Sequence, residues 1–194
     1  MITDIEVAVP VRTAYDQWTQ FEDFPLFMDH VSNVEQQDDT HVHFSASIAG
    51  VSREWVAEIV EQTPDQRIAW EAVDGVRNAG VVTFHPLADD RTRIVLQLEM
   101  DPEGLLEQVA DKGGFVSDRA AKDLAAFKTF IENRGHAMGG YRRTVKRDPD
   151  HDLIRRQAEY AGLPKRALLE LARERGLEGR AQMTKAELID ELVS

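Results

Sequence analysis

The chain has 194 residues, of which 42% are hydrophobic and 30% charged, with a net charge of −12 and no cysteine. That length and balance describe a globular protein able to bury a real core, with room for one medium domain and a small appendage. The lack of cysteine excludes disulfides, thiol nucleophiles and Cys-ligated metal, and the acidic excess argues against a phosphate-binding surface over the whole molecule.

The start, Met1-Ile2-Thr3-Asp4-Ile5-Glu6, has neither a basic nor an apolar signal region. No stretch approaches the about 18 to 20 uninterrupted apolar residues of a membrane helix, so a cytoplasmic protein is expected. Charge is uneven along the chain. From Asp150 to Ser194 there are nine acidic and eight basic side chains, which leaves −11 for residues 1–149.

Ile5, Val7 and Val9 alternate with polar or small neighbours, which predicts a half-buried strand ended by Pro10. Ala14, Tyr15, Trp18 and Phe21 recur at helical spacing over 11–21, and a short apolar segment at 24–28 follows. Strand patterns come next near 31–37, 40–48, 51–62, 67–74, 80–87 and 92–100. Turn signals such as Gln37-Asp38-Asp39, Pro64-Asp65, Asp74-Gly75 and Asp89-Asp90 separate them. Connections this short favour an antiparallel meander. After Pro102 the period changes to that of a helix, with Ala120, Leu124, Phe127 and Ile131 on one face and Gly135 placed to cap its end. A glycine-rich, basic linker is expected from His136 to Asp150, then helix again.

Five segments carry a family resemblance: Phe24-Pro25-Leu26-Phe27-Met28, Gly50-Val51-Ser52-Arg53-Glu54-Trp55, Pro64-Asp65-Gln66-Arg67-Ile68-Ala69-Trp70, the run Asn78-Ala79-Gly80-Val81-Val82-Thr83-Phe84-His85-Pro86-Leu87, and Asp123-Leu124-Ala125-Ala126-Phe127-Lys128-Thr129-Phe130-Ile131-Glu132. In this order they resemble the START-like superfamily, in its polyketide cyclase/dehydrase or coenzyme Q-binding branch, over residues 1–145. The resemblance implies an α+β helix-grip fold, an antiparallel sheet wrapped around a long helix with an apolar hollow between them. That fold hosts both carriers and enzymes, so it does not decide function.

Strand parity places Arg53, Trp55, Ala57 and Ile59 on one face, and Arg53 is expected at the cavity mouth. Ile68, Trp70 and Ala72 share a second inward face, and Val42, Phe44, Ala46 and Ile48 a third. The expected ligand-contacting set is Met28, Phe44, Arg53, Trp55, Trp70, Asn78, Phe84 and Phe127. Polar candidates for chemistry are Tyr15, Arg53, Asn78 and His85, none of which aligns with known catalytic residues, so no catalytic residue is assigned. Core packing, a rim ion pair for Arg53 to Glu54 or Glu71, and backbone capping by Asn78 are the competing roles. His41 and His43 share a strand face without a third ligand, Gly113-Gly114 is expected to precede a helix but lacks the lysine and spacing of a phosphate loop, no nucleophile elbow occurs, and no metal or cofactor is expected.

The tail from 163 to 194 reads as two helices, started at Pro164, capped at Gly176 and reopened by the capping box Thr184-Lys185-Ala186-Glu187. Residues 146–162 supply a linker and a further helix over 153–161. The pattern from Leu168 to Ile189 resembles the SAP and Rho N-terminal family, which implies a small docking module. Lys165, Arg166, Arg180 and Lys185, with Arg142 and Arg143 upstream, could contact nucleic acid, while Glu170, Glu174, Glu178 and Glu187 nearly cancel their charge. Three readings stay open: a carrier or sensor of a hydrophobic small molecule or lipid, an aromatase/cyclase-like enzyme, and an assembly-accessory protein acting through the tail on nucleic acid or a protein partner.

Overall fold

In a computed structural model, residues 1–48, 50–100, 112–148 and 151–193 are described. They form two compact units, Met1–Lys146 and Arg147–Ser194. In the first, β1 (Ile2–Val7) leads to α1 (Val11–Trp18) and a 3₁₀ turn at Phe21–Leu26. Six strands follow: β2 (Val31–Gln36), β3 (His41–Ile48), β4 (Val51–Thr63), β5 (Arg67–Gly75), β6 (Asn78–Ala88) and β7 (Arg91–Met100). The helix α2 (Lys112–Arg134) closes the unit.

All seven strands make one antiparallel sheet in the order β1-β7-β6-β5-β4-β3-β2. The strand pattern from 31 onward is that expected from the turn signals. Gly75, with φ of 77°, makes the turn after β5, where a Cβ would meet the Glu54 carbonyl oxygen at 2.2 Å. Three placements differ from expectation. β1 stops at Val7 and does not run to Pro10, because its pairing with β7 ends at Val7 opposite Thr92. Val9 is left to accept a hydrogen bond from the Thr92 hydroxyl at 2.9 Å through its carbonyl. The expected helix over 11–21 stops at Trp18, and Gly113-Gly114 lies within α2 and does not precede it. Ala49, part of an expected turn, is outside the described residues.

The stripe Ala120, Leu124, Phe127 and Ile131 is buried against the concave face of the sheet, as its spacing requires. Its lower half packs tightly. Trp18 meets Phe127, Phe24 and Phe84 edge-on at centroid distances of 4.9, 5.7 and 6.2 Å. The same helix is tied to the strand beside it: Lys128 donates to the Glu6 carbonyl at 2.6 Å, and the Ala8 amide donates to Glu132 at 2.6 Å.

The segment expected to be a free linker instead lies along the first unit. Gln62 and Val145 exchange backbone hydrogen bonds of 2.8 and 2.9 Å, and the buried Gln62 side chain donates to both the Tyr15 hydroxyl and the Tyr141 carbonyl at 2.8 Å. Arg142 forks onto Asp65 at 2.9 and 2.5 Å and reaches Asp16 at 2.6 Å, while Arg143 pairs with Asp39. The cations expected to reach phosphate here are occupied by carboxylates of their own unit.

The second unit holds α3 (His151–Gly162), α4 (Lys165–Glu174) and α5 (Lys185–Val193) around Tyr160, Leu168, Ala172, Leu188 and Leu192. Arg175 joins the three helices by donating to the Tyr160 hydroxyl at 2.9 Å and to the Leu192 carbonyl. Thr184 and Glu187 make the reciprocal capping bonds that their spacing predicts, at 2.6 and 3.2 Å.

A half-buried Arg held by two carboxylates is a charge-assisted anchor, worth more than an exposed pair and less than a buried one. Arg142→Ala should therefore lower the stability of the first unit by about 1–2 kcal/mol. Tryptophan emission during urea unfolding measures this for that unit alone, since Trp18, Trp55 and Trp70 all lie in it. A change within experimental error would show that the strap carries no weight.

Candidate functional site

From Phe115 to Leu124, α2 stands over the sheet. Between them lies a hollow of about 220 Å³ whose walls come from α1, the 3₁₀ turn, β2 to β7 and α2. Most of its lining is apolar, including Phe24, Val42, Ile59, Ile68, Leu96 and Leu124. A volume somewhat below the roughly 300–1,000 Å³ of drug-sized sites suits a small guest of about two fused rings.

Five of the eight expected contact residues line this hollow: Met28, Phe44, Trp55, Trp70 and Asn78. Phe44 and Trp55 face each other across the β3–β4 pair as a parallel stack, 5.2 Å between centroids and 3° apart. Trp70 is set by two neighbours in the run that opens β6. Its indole N–H donates to the Asn78 side-chain oxygen at 3.1 Å, and the Asn78 amide nitrogen donates to the Val76 carbonyl at 2.9 Å. Gly80 lies opposite Trp70, and a Cβ there would sit 2.3 Å from the indole ring. Asn78 and Gly80 together fix where this wall stands.

The other three expected contacts fall elsewhere. Phe84 and Phe127 are buried in the aromatic layer around Trp18, beneath the hollow and not on its surface. Arg53 is half-buried and outside the lining, with one guanidinium nitrogen 3.4 Å from the Ser52 carbonyl. Strand alternation from Trp55 to Ile59 survives the register shift at Val56/Ala57, but it breaks at the second shift, Ile59/Glu61, so Ile59, Val60 and Gln62 are all buried.

Of the polar candidates, Tyr15 is fully buried outside the hollow, where loss of solvent drives its hydroxyl up to about 12. His85 is exposed, with its Nε2 2.8 Å from the Thr83 hydroxyl. His41 is engaged by Asp38 at 3.0 Å, and among the described residues no group of three His, Asp or Glu side chains is arranged to hold a metal ion.

Sequence reasoning missed the polar edge of the hollow. His30, Arg119 and Asp123 all line it. Arg119 Nε donates to His30 Nδ1 at 3.0 Å and lies 3.7 Å from Asp123, and its Nη2 reaches Asp29 at 3.4 Å. His30 and Asp123 approach to 3.5 Å. Burial, reinforced by the Arg119 charge, pushes the imidazole down to about 4, so His30 is neutral at pH 7. Burial raises the Asp123 carboxyl to about 6 against the opposing pull of Arg119, with Asp29 adding to the rise. One signal was available: 119 and 123 are four apart and border the 120/124 stripe, so they sit on the rim of the buried face of α2. Their meeting with His30, 89 residues from Arg119, is a property of the fold.

In the second unit, Lys165 and Arg166 are exposed. Lys185 donates to the Ala161 carbonyl at 2.6 Å, near the end of α3, and Arg180 to the Leu177 carbonyl at 2.7 Å.

Residues 7–129 match the family model for polyketide cyclase/dehydrase and lipid transport. An uncharacterised 17.2 kDa protein of Streptomyces lincolnensis, from the melC2–rnhH intergenic region, is 53% identical over 142 residues, covering 73% of this chain and 95% of that protein. Two solved structures share the fold. The Zhui aromatase/cyclase from Streptomyces sp. R1128 matches with a TM-score of 0.56 at 18% identity, over 73% of this chain and 98% of its own. A START superfamily protein from Mycobacterium smegmatis matches with a TM-score of 0.55 at 17% identity, over 70% and 95%.

The opposed shifts of His30 and Asp123 have a measurable consequence. The raised carboxyl makes the folded state bind more protons between pH 6 and 3.8, so its share of stability grows on acidification through that window. The lowered imidazole does the opposite between pH 6.5 and 4, and the two nearly offset. Asp123→Asn removes only the first effect. Relative to the parent, this variant should lose about 2 kcal/mol between pH 7.5 and 4.5 in tryptophan-monitored unfolding. Parallel pH curves for variant and parent would refute the buried-carboxylate account.

Proposed function

The chain belongs to the polyketide cyclase/dehydrase and lipid transport family, and from that premise we propose that its first unit binds a hydrophobic small molecule or lipid fragment as a carrier or sensor. The observation that carries this reading is an apolar hollow walled by stacked Phe44 and Trp55, by Trp70 and by Met28, with few polar groups in it. Burying such a guest is favourable at about 25 cal/mol per Å² of apolar surface, so no strong polar anchor is needed for binding. Arg53, Phe84 and Phe127 act as support in this reading and not as direct contacts.

A second reading, an aromatase/cyclase-like enzyme, has one observation in its favour. A neutral imidazole and a carboxyl near pH 6 stand side by side at the edge of the hollow, where they could exchange protons with a carbonyl compound. For the second unit we propose a docking role, resting on the resemblance of its last two helices to the SAP and Rho N-terminal pattern. With Arg142 and Arg143 ion-paired in the first unit, four of the six expected cations, Lys165, Arg166, Arg180 and Lys185, remain for phosphate, and the neighbouring glutamates offset them, which favours a protein partner over nucleic acid.

Ala57 is a small buried residue of the wall, so Ala57→Phe would fill the hollow from one side. Binding of naphthalene, followed by quenching of Trp55 and Trp70, should weaken at least tenfold while circular dichroism stays that of the parent. Unchanged affinity would place the guest elsewhere. A guest recovered chemically unaltered after prolonged incubation supports a carrier, and conversion of a polyketone surrogate would support the enzyme.

A further inference from the structure

The polar cluster is asymmetric in a way that ion pairing alone does not explain. Arg119 already has Asp29, so a simple tie between α2 and the segment before β2 needs neither His30 nor Asp123. Yet both side chains are largely buried, at 17% and 14% exposure, on the lining of an otherwise apolar hollow. Placing a carboxyl and an imidazole there costs desolvation that better-packed apolar residues would avoid.

The hydrogen bond from Arg119 assigns the imidazole tautomer. A guanidinium can only donate, so His30 Nδ1 accepts, and a neutral ring then carries its proton on Nε2. Nε2 has no partner among the described residues, which leaves one unused N–H donor. Asp123 Oδ1 lies 3.5 Å from Nδ1 of the same ring and 3.7 Å from Arg119 Nε, so a carboxylate acceptor stands on the same edge of the hollow. The single positive charge of Arg119 is met by two carboxylates, Asp29 and Asp123, so the cluster has no surplus positive charge for an anion. One donor and one acceptor on one edge of the hollow, without net positive charge, complement a group that accepts and donates at the same atom.

We propose that His30, Arg119 and Asp123 form a recognition site for an uncharged hydroxyl group on an otherwise apolar, ring-sized ligand. The proposal rests on the reading of the hollow as a binding site. The His30 Nε2–H donates to the ligand oxygen, the ligand hydroxyl donates to Asp123, and Arg119 holds both side chains in place. A carboxylate at the same position would face Asp123 and Asp29 and gain nothing.

Three probes with one apolar body separate these cases: naphthalene, 2-naphthol and 2-naphthoate, titrated against the full chain at pH 7.5. The expected order is 2-naphthol about tenfold tighter than naphthalene, as two added hydrogen bonds, one to a carboxylate, would give, and 2-naphthoate no tighter than naphthalene. Asp123→Leu and His30→Phe should each reduce the preference for naphthol over naphthalene, taken as a ratio within each variant, to threefold or less, and measurable naphthalene binding by the variant shows that its hollow is still present. Equal binding of naphthol and naphthalene, a preference for naphthoate, or a naphthol preference that survives both substitutions overturns this site and leaves the binding reading standing. Binding of none of the three overturns both.

Discussion

The rest of the structure depends on a mismatch of size. A seven-stranded sheet that curls around one helix encloses more space than that helix can fill. The deficit is not spread evenly. Around Phe127 the helix is packed against Trp18 and Phe27 by edge-to-face aromatic contacts, while side chains between Phe115 and Leu124 line the hollow. Packing at one end pins the helix, and the other end becomes the roof of a hollow. An apolar void of this size lacks the dispersion contacts of a filled core, which is a standing cost that a guest would relieve.

Around that void the polar groups divide into two kinds. Some serve the fold alone: Gln62 joins α1 to the strap near Tyr141, and Arg142 is held by Asp16 and Asp65. Others stand where the hollow begins, with Asn78 fixing the Trp70 ring and Arg119 holding His30 and Asp123. The first kind explains why a basic stretch on an acidic domain is not a free cationic surface. The second gives an apolar cavity a chemical direction, with one end able to recognise more than shape.

What could be read from the sequence follows the range of the interactions involved. Strand spacing, the turn at Gly75 and the helical stripe at 120, 124, 127 and 131 are local patterns, and they lie where period and turn chemistry place them. Inward parity found Phe44, Trp55 and Trp70, because pleating alone decides that. Phe84 and the helical Phe127 were named without such a rule, and whether another aromatic ring covers a side chain is decided by the fold. Arg142 and its carboxylates are 77 and 126 residues apart, and Arg119 and His30 are 89 apart. No spacing rule connects such pairs. The register shifts in β4 belong to its pairing with β5, so the break in alternation beyond Ile59 was not legible in the spacing of β4 alone.

The most direct test of the central claim is methyl NMR of isotopically labelled isoleucine and leucine during titration with naphthalene. Ile59, Ile68, Leu96 and Leu124 line the hollow, Ile94 and Ile131 lie in the packed core, and Leu168 and Leu188 belong to the second unit. Saturable shifts and ligand-to-methyl Overhauser contacts at the first group, with the second unit unchanged, are what a guest inside the grip predicts. Contacts confined to surface or second-unit methyls, or none at saturating probe, would contradict it.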